Sequence, residues 1–329
     1  MKTEDIKHIS NILLSSDNIR IIGHKNPDGD AIGSTAGLAA LLERAGKRTQ
    51  VVYPDEPAAR LKFILCGREY AIPENMGDFE PNLTVALDCA AASRLGSLES
   101  GASEVEISID HHDVCTPFAK NTFTDGKASA ASEMVYFIAH EFALRGVIGE
   151  IDEKIAYPLY AGIASDTGNF KYSNTTAQTL KISAELLESG IDNAEISRLL
   201  FDTCSLDKLR AESIAVQKLE LFANGLAALV AIDEDVFEST GLTRDDFDDS
   251  VNVARKVLGV EVGIYIRPAL NEPGKYKVSL RANSFANVAE VAALFGGGGH
   301  VRAAGCALNA ESMAEVCAKI KKEVEKTLL

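Results

Sequence analysis

The sequence predicts an α/β protein: a parallel-sheet N-terminal domain (residues 1–190), a helical connector (191–224) and a smaller αβ C-terminal domain (225–329). Three observations predict it. Across residues 19–165 short apolar runs alternate with helical stretches, as in a parallel sheet with crossover helices. After a stretch of helical periodicity, a second αβ pattern begins at Gly225-Leu-Ala-Ala-Leu-Val-Ala-Ile232. The 329 residues also exceed the usual size of one domain.

Taken in order, strands are expected near residues 19–23, 48–53, 83–88 and 105–109, and helices near 31–45, 130–146 and 152–164. Leu83-Thr-Val-Ala-Leu87 and Val105-Glu-Ile-Ser-Ile109 are short β-branched runs of the buried-strand kind. Helical patterns dominate from Thr175 to about Phe222, and Gly190 suits a helix C-cap. In the second domain Val262-Gly-Ile-Tyr-Ile-Arg267 and Tyr276-Lys-Val-Ser-Leu-Arg281 read as strands, and a helix is expected from about Ala310. The acidic stretch Thr243 to Ser250 between them reads as a solvated face.

Composition narrows the function. Lys and Arg number 33 against 48 Asp and Glu, a net charge of −15, so binding along duplex DNA or long RNA, which rests on many phosphate contacts, is not expected. A small phosphate-bearing substrate remains compatible, because bound cations and a few arginines reverse the field locally. The six cysteines lack Cys-x-x-Cys spacing and the N-terminus lacks an apolar signal core, which predicts reduced thiols in a cytoplasmic protein. No apolar run approaches the ~20 residues of a membrane span, so no membrane association is expected.

The chemistry concentrates where apolar runs end. Ile19-Arg-Ile-Ile22 leads into His24-Lys-Asn-Pro-Asp28-Gly-Asp30, with Pro27 and Gly29 allowing a tight turn before a helix. Such strand-to-helix crossovers put side chains in the crevice where ligands bind. Asp28 or Asp30 could equally serve as a helix N-cap. Three further runs end the same way, at Asp88, at Asp110-His111-His112 and at Asp166, and that recurrence favours a metal site. Cys89, beside Asp88, reads as a small buried residue instead of a ligand. Oxygen-rich donors with imidazole, and no paired cysteines, suit manganese or magnesium. Six donors are too many for one ion with open positions, but suit two ions about 3.5–4 Å apart that share a carboxylate and acidify water for attack on phosphorus.

A second feature is Phe295-Gly296-Gly297-Gly298-Gly299-His300-Val-Arg302-Ala-Ala-Gly305. Four glycines read as a loop whose backbone N–H groups can approach an anion, with His300 as a directional donor and Arg281 as the accompanying positive charge. The alternative is a flexible linker.

His24-x-x-x-Asp28-x-Asp30, Asp88, Asp110-His111-His112, Asp166 and Gly-Gly-Gly-Gly-His300 together resemble the motif series of the DHH phosphoesterases, which carry a DHH-associated C-terminal domain. Ser165-Asp-Thr-Gly-Asn-Phe170-Lys-Tyr-Ser-Asn174 and the glycine run are most similar to the nanoRNase type. That resemblance implies degradation of very short single-stranded oligonucleotides from the 5′ end and removal of the 3′-phosphate of 3′-phosphoadenosine 5′-phosphate (pAp). It further implies that His24 and Asp28 hold one Mn²⁺, that Asp30 and His111 hold a second, that Asp88 bridges them and that Asp166 completes the cluster. His112 would contact the scissile phosphate or protonate the leaving oxygen, or else be a further metal ligand, with Asp110 orienting the histidine pair. Arg281, His300 and the backbone of Gly297, Gly298 and Gly299 would bind a non-scissile phosphate, and a homodimer is implied as well.

Arg94 could be a further phosphate ligand or a surface charge, and Tyr172 and Phe170 a stacking face for a base or core residues. Two rivals share the motifs: an exopolyphosphatase or pyrophosphatase, and a metal-bound nucleotide sensor without turnover.

Overall fold

The computed structural model describes residues 2–328, and its contacts divide the chain into two units, one ending at Thr203 and the other beginning at Cys204. In the first unit the elements are α1 (Thr3–Leu14), β1 (Asn18–Ile22), α2 (Gly29–Arg44), β2 (Arg48–Val52), β3 (Leu83–Leu87), β4 (Ile107–Asp110), β5 (Asn121–Thr124), α3 (Ala131–Leu144), α4 (Glu153–Asp166), α5 (Ala177–Leu187) and α6 (Asn193–Ser197). Five strands form one parallel sheet in the order β2-β1-β3-β4-β5. Residues on alternate sides of each strand enter different cores. Ile19, Ile21, Val85, Leu87, Ile107 and Ile109 pack under the helices, while Ile22, Val52, Ala86 and Val105 pack under the 3₁₀ segment Ala92–Glu104. Burial of both faces is why Ile, Val and Leu recur through β1, β3 and β4 without strict alternation.

The chain leaves β1 for β2 on one side and returns to β3 on the other, so the strand order reverses between β1 and β3. Crevices open at the carboxyl ends of strands at such a switch point. His24, Asp88 and the Asp110-His111-His112 run all follow strand ends there.

The second unit contains α7 (Leu206–Gln217), β6 (Leu219–Phe222), β7 (Ala227–Ala231), α8 (Glu234–Thr240), α9 (Ser250–Arg255), β8 (Val262–Pro268), β9 (Lys275–Ala282), α10 (Val288–Ala293), β10 (Gly298–His300), β11 (Ala303–Asn309) and α11 (Met313–Leu328). Its six-stranded sheet has the order β10-β11-β9-β8-β7-β6, antiparallel except for β7 and β8. Leu229, Ile264, Val278 and Leu280 pack against α10 and α11, and Ala228, Val230 and Tyr265 against α7, α8 and α9.

Three details depart from the expected elements. Asn121–Thr124 is an added edge strand, Leu219–Phe222 is a strand within the stretch of helical periodicity, and the glycine run is partly a strand instead of a loop. The last follows from close packing: a Cβ on Gly299 would come within 2.6 Å of Ala304 Cα, and one on Gly297 within 2.7 Å of Cys306 Cα. Glycine there lets β10 lie against β11.

Candidate metal centre

Three adjacent strand ends and three helix ends converge on one cluster. Beyond β1 stands His24, beyond β3 Asp88, and at the end of β4 Asp110, followed by His111 and His112. Asp88 has a φ of +57°, in the left-handed region that non-glycine residues seldom adopt, while its N–H still donates to Ile109 O at 3.0 Å. The turn thus aims the carboxylate out of the sheet without breaking the pairing with β4.

Asp28 caps α2, its Oδ1 accepting the N–H groups of Asp30 and Ala31 at 3.0 Å each. Its Oδ2 is left 3.4 Å from His24 Nε2, so capping and site geometry share one carboxylate. Asp30 lies at the start of α3, whose Ala131 and Ser132 N–H groups donate to its Oδ2 at 2.6 Å and Oδ1 at 2.9 Å. A helix N-terminus holds an anion in this way. Asp166 closes α4, and the side-chain amide of Asn174 donates to its carbonyl and to Oδ2, both at 3.2 Å.

The start of α2 and the end of α4 meet because α2 crosses α4 at glycine. A Cβ on Gly33 would lie 2.8 Å from Gly162 Cα, and one on Gly162 would lie 3.0 Å from Asp30 Oδ1. Larger side chains there would separate Asp30 from Asp166.

The distances define two groups around one shared residue. His24 Nε2 is 3.3 Å from Asp88 Oδ2. His111 Nε2 is 3.5 Å from Asp88 Oδ1, 3.7 Å from Asp166 Oδ2 and 3.8 Å from Asp30 Oδ2. Asp88, only 2% exposed, therefore turns one oxygen to each histidine. His24 Nδ1 is 2.7 Å from the Lys25 carbonyl, which can only accept, so Nδ1 carries the proton and Nε2 faces the carboxylates. His112 Nδ1 donates to Asp110 Oδ1 at 2.7 Å and is 3.6 Å from Asp88 Oδ1.

This concentration of charge perturbs Asp30, Asp166, His24 and His112. Burial and the charge of Asp88 push the Asp30 carboxyl up to about 7, against the pull of His111. Burial, with Asp88 and Asp28, likewise raises Asp166 to about 6. Burial opposes a charge on His24, but hydrogen bonds to Asp28 and Asp88 outweigh it and bring the imidazole to about 10. Asp110 raises His112 to about 9. Crowded carboxylates that resist ionisation are relieved by a cation.

The donors fit divalent metal on a further observation. Asp88 Oδ1 is buried and accepts no hydrogen bond, although buried polar atoms are normally satisfied. An oxygen left free beside three other carboxylates and two imidazoles suits coordination. His24, Asp28 and Asp88 would hold one ion, while His111 and His112 stand within ligand reach of the other Asp88 oxygen, with Asp30 and Asp166 beside His111.

In the second unit Arg281, Ala303 and His300 fall in one lateral row across β9, β11 and β10, on the same face of the sheet. Gly263 continues the row under α9, which covers β8 but leaves His300 and Gly298 exposed. Small residues between the two side chains leave a shallow platform. Burial and the nearby Arg255 on α9 lower the Arg281 guanidinium, so two positive groups converge there. Arg94 lies in the 3₁₀ segment, where its carbonyl accepts the Lys25 N–H at 2.8 Å.

The N-terminal domain model of the DHH family matches residues 18–163, and the DHHA1 domain model matches residues 229–326. The chain is 33% identical over 94% of its length to the bifunctional oligoribonuclease and PAP phosphatase NrnA of Thermus thermophilus, covering 90% of that protein. The chain belongs to the DHH family of phosphoesterases. This DHH protein is also 29% identical to the NrnA of Bacillus subtilis, over 94% of this chain and 93% of that one. It further resembles the crystal structure of an exopolyphosphatase-related protein from Bacteroides fragilis, with a TM-score of 0.88, 25% identity and coverage of 99% of this chain and 96% of that one.

Two residues of this DHH protein escaped sequence reasoning. Asn174 stands in the Ser165–Asn174 motif, but its role in holding Asp166 depends on the fold of residues 167–174. Arg255 sits on a six-residue helix without any motif, and only packing against Gly263 brings it near Arg281.

Proposed function

We propose that this phosphoesterase uses two manganese ions, with magnesium as the alternative, to hydrolyse very short single-stranded oligoribonucleotides from the 5′ end and pAp to AMP. The observation that carries the reading is Asp88, whose two oxygens face two separate ligand groups. When bound, the ions supply positive charge to the phosphoryl oxygens and acidify water for in-line attack on phosphorus.

The chain's own residues do the rest. Asp110 keeps the His112 Nδ1 proton, so Nε2 is the atom offered to substrate. The hydrogen bond to Asp110 raises the His112 imidazole, to about 9 in the metal-free fold, and so favours the proton that His112 donates to the leaving oxygen. Arg281, with Arg255 beside it, and His300 take the non-scissile phosphate, which selects short substrates bearing a terminal phosphate. Arg281 offers a planar fork suited to phosphate oxygens. Reduced thiols fit a cytoplasmic setting, since no cysteine is paired among the described residues, where no helix is long and apolar enough to cross a membrane either.

The test is release of phosphate and mononucleotide from pAp, a 5′-phosphorylated dinucleotide, a long RNA and polyphosphate, with Mn²⁺ and with EDTA. Metal-dependent cleavage of the first two is expected. Preference for polyphosphate would overturn the substrate assignment and favour an exopolyphosphatase, while bound metal without any turnover would favour the sensor.

A further inference from the structure

We propose that Tyr172 is the platform on which a substrate nucleobase stacks beside the metal cluster, a proposal that rests on the nucleotide reading above. The sequence leaves Phe170 and Tyr172 equivalent, each an aromatic shortly after Asp166. The structure separates them.

Gly168, Asn169 and Phe170 have φ of +56°, +59° and +63°, three successive left-handed residues directly beyond the α4 terminus. For asparagine and phenylalanine this is a strained conformation, of the kind that persists where the surroundings enforce it. Here the Phe170 N–H donates to Thr167 Oγ1 at 3.1 Å and the Phe170 ring packs on Tyr160 with centroids 5.8 Å apart. The reversed turn sends Phe170 inward and Tyr172 outward, to 53% exposure.

Tyr172 is nevertheless held firmly. Its N–H donates to Thr167 O at 3.0 Å and its carbonyl accepts the Thr175 N–H at 3.1 Å. The ring lies against Gly168: a Cβ there would fall 2.6 Å from both Cε1 and Cε2, and nearer still to Cζ. Near-equal distances to those atoms place the phenol end over the glycine by its face, not its edge. One π-face is thus covered by backbone and the other is left for a ligand. Gly168 is two residues from Asp166, so their Cα atoms are at most about 7 Å apart. A fixed aromatic with a free face, one short step from a phosphate-cleaving centre, suits a base of any identity, because every base has a π-face.

The experiment compares KM and kcat of the full-length metal-loaded protein and its Tyr172→Ala, Tyr172→Leu and Tyr172→Phe variants. The substrates are pAp, a 5′-phosphorylated dinucleotide and a base-free deoxyribose 3,5-bisphosphate. Tyr172→Ala and Tyr172→Leu are expected to raise KM for the two base-bearing substrates about tenfold or more. The base-free substrate should be unaffected and Tyr172→Phe should stay near wild type. Leucine still covers Gly168, so the Leu and Phe pair decides the matter even if alanine disturbs the loop. Equal losses on base-bearing and base-free substrates, or no change in KM, would overturn the proposal alone. A wild-type protein that turns over neither nucleotide would overturn the nucleotide reading and this proposal with it.

Discussion

The cluster around Asp88 and the row from Arg281 to His300 are built on opposite principles. In the first, His24, Asp30, Asp88 and Asp110 are all but inaccessible, and hydrogen bonds fix Asp30 on the start of α3, His24 on the Lys25 carbonyl and Asp110 on His112. In the second, His300 is exposed on an edge strand of three residues, and Arg281 makes a hydrogen bond to the carbonyl of its own neighbour, Leu280, at 3.0 Å. The contrast fits the roles proposed for each. Metal ligands have to be fixed and kept dry, because the electrostatics acting on a transition state depend on position. A site that takes hold of a terminal phosphate needs a positive field and an open approach.

Damage to the two regions should therefore read out differently. The largest effect is expected from Asp88→Asn, which keeps the shape but weakens both ligand groups. Losing several kcal/mol of charge stabilisation corresponds to about a thousandfold or more in kcat, measured with saturating substrate and Mn²⁺. A fall confined to KM would remove Asp88 from the chemistry.

Asp110→Asn should come next, costing about 10- to 100-fold in kcat as expected for a partner that orients a working histidine. It also has a direction in pH. Asp110 raises His112 toward 9, so without that charge His112 loses its proton at lower pH, and the alkaline limb of the kcat profile should move down. An unmoved limb would mean that His112 is not the proton donor.

Arg281→Ala, in the second region, should instead raise KM for pAp about tenfold with kcat nearly unchanged, the pattern of lost uniform binding. A kcat loss as large as that of Asp110→Asn would erase the distinction between the regions.

The smallest effect is thermal. Asp30, Asp166, His112 and His24 all have raised values in the fold, so each contributes stability below its unfolded value that disappears as pH rises through its folded value. For the two histidines that window runs from 6.5 to about 9 for His112 and about 10 for His24. The metal-free protein should thus lose Tm across it, by a few degrees. Metal binds the deprotonated ligands, so the Tm gain on adding Mn²⁺ should grow from pH 6.5 to 9. A gain that shrinks with pH would contradict the ligand assignment.

What the sequence made legible divides along the same line. β1, β3 and β4 stand out because Ile, Val and Leu recur in strands covered on both faces, and the carboxylates and histidines at their ends break that pattern abruptly. Asn121–Thr124 was invisible because Asn-Thr-Phe-Thr is short, polar and half-exposed at the sheet edge. Leu219–Phe222, likewise an edge strand with Leu221 exposed, gives no alternation that would set it apart from the preceding helix. The glycine run announced itself as special, but not that Gly297 and Gly299 are there to let two strands touch. Gly33 and Gly162 carry no signal at all: they sit in apolar helices and matter only once α2 and α4 cross. Pairwise approach of distant segments is what composition and periodicity leave out.

Calorimetric titration of the metal-free protein with Mn²⁺, run in parallel on Asp88→Asn, tests whether Asp88 serves two ions. Asp88 serving both ligand groups predicts two ions per wild-type chain and a marked loss of affinity at both sites in the variant. A single ion per chain, or two sites indifferent to Asp88→Asn, would contradict it.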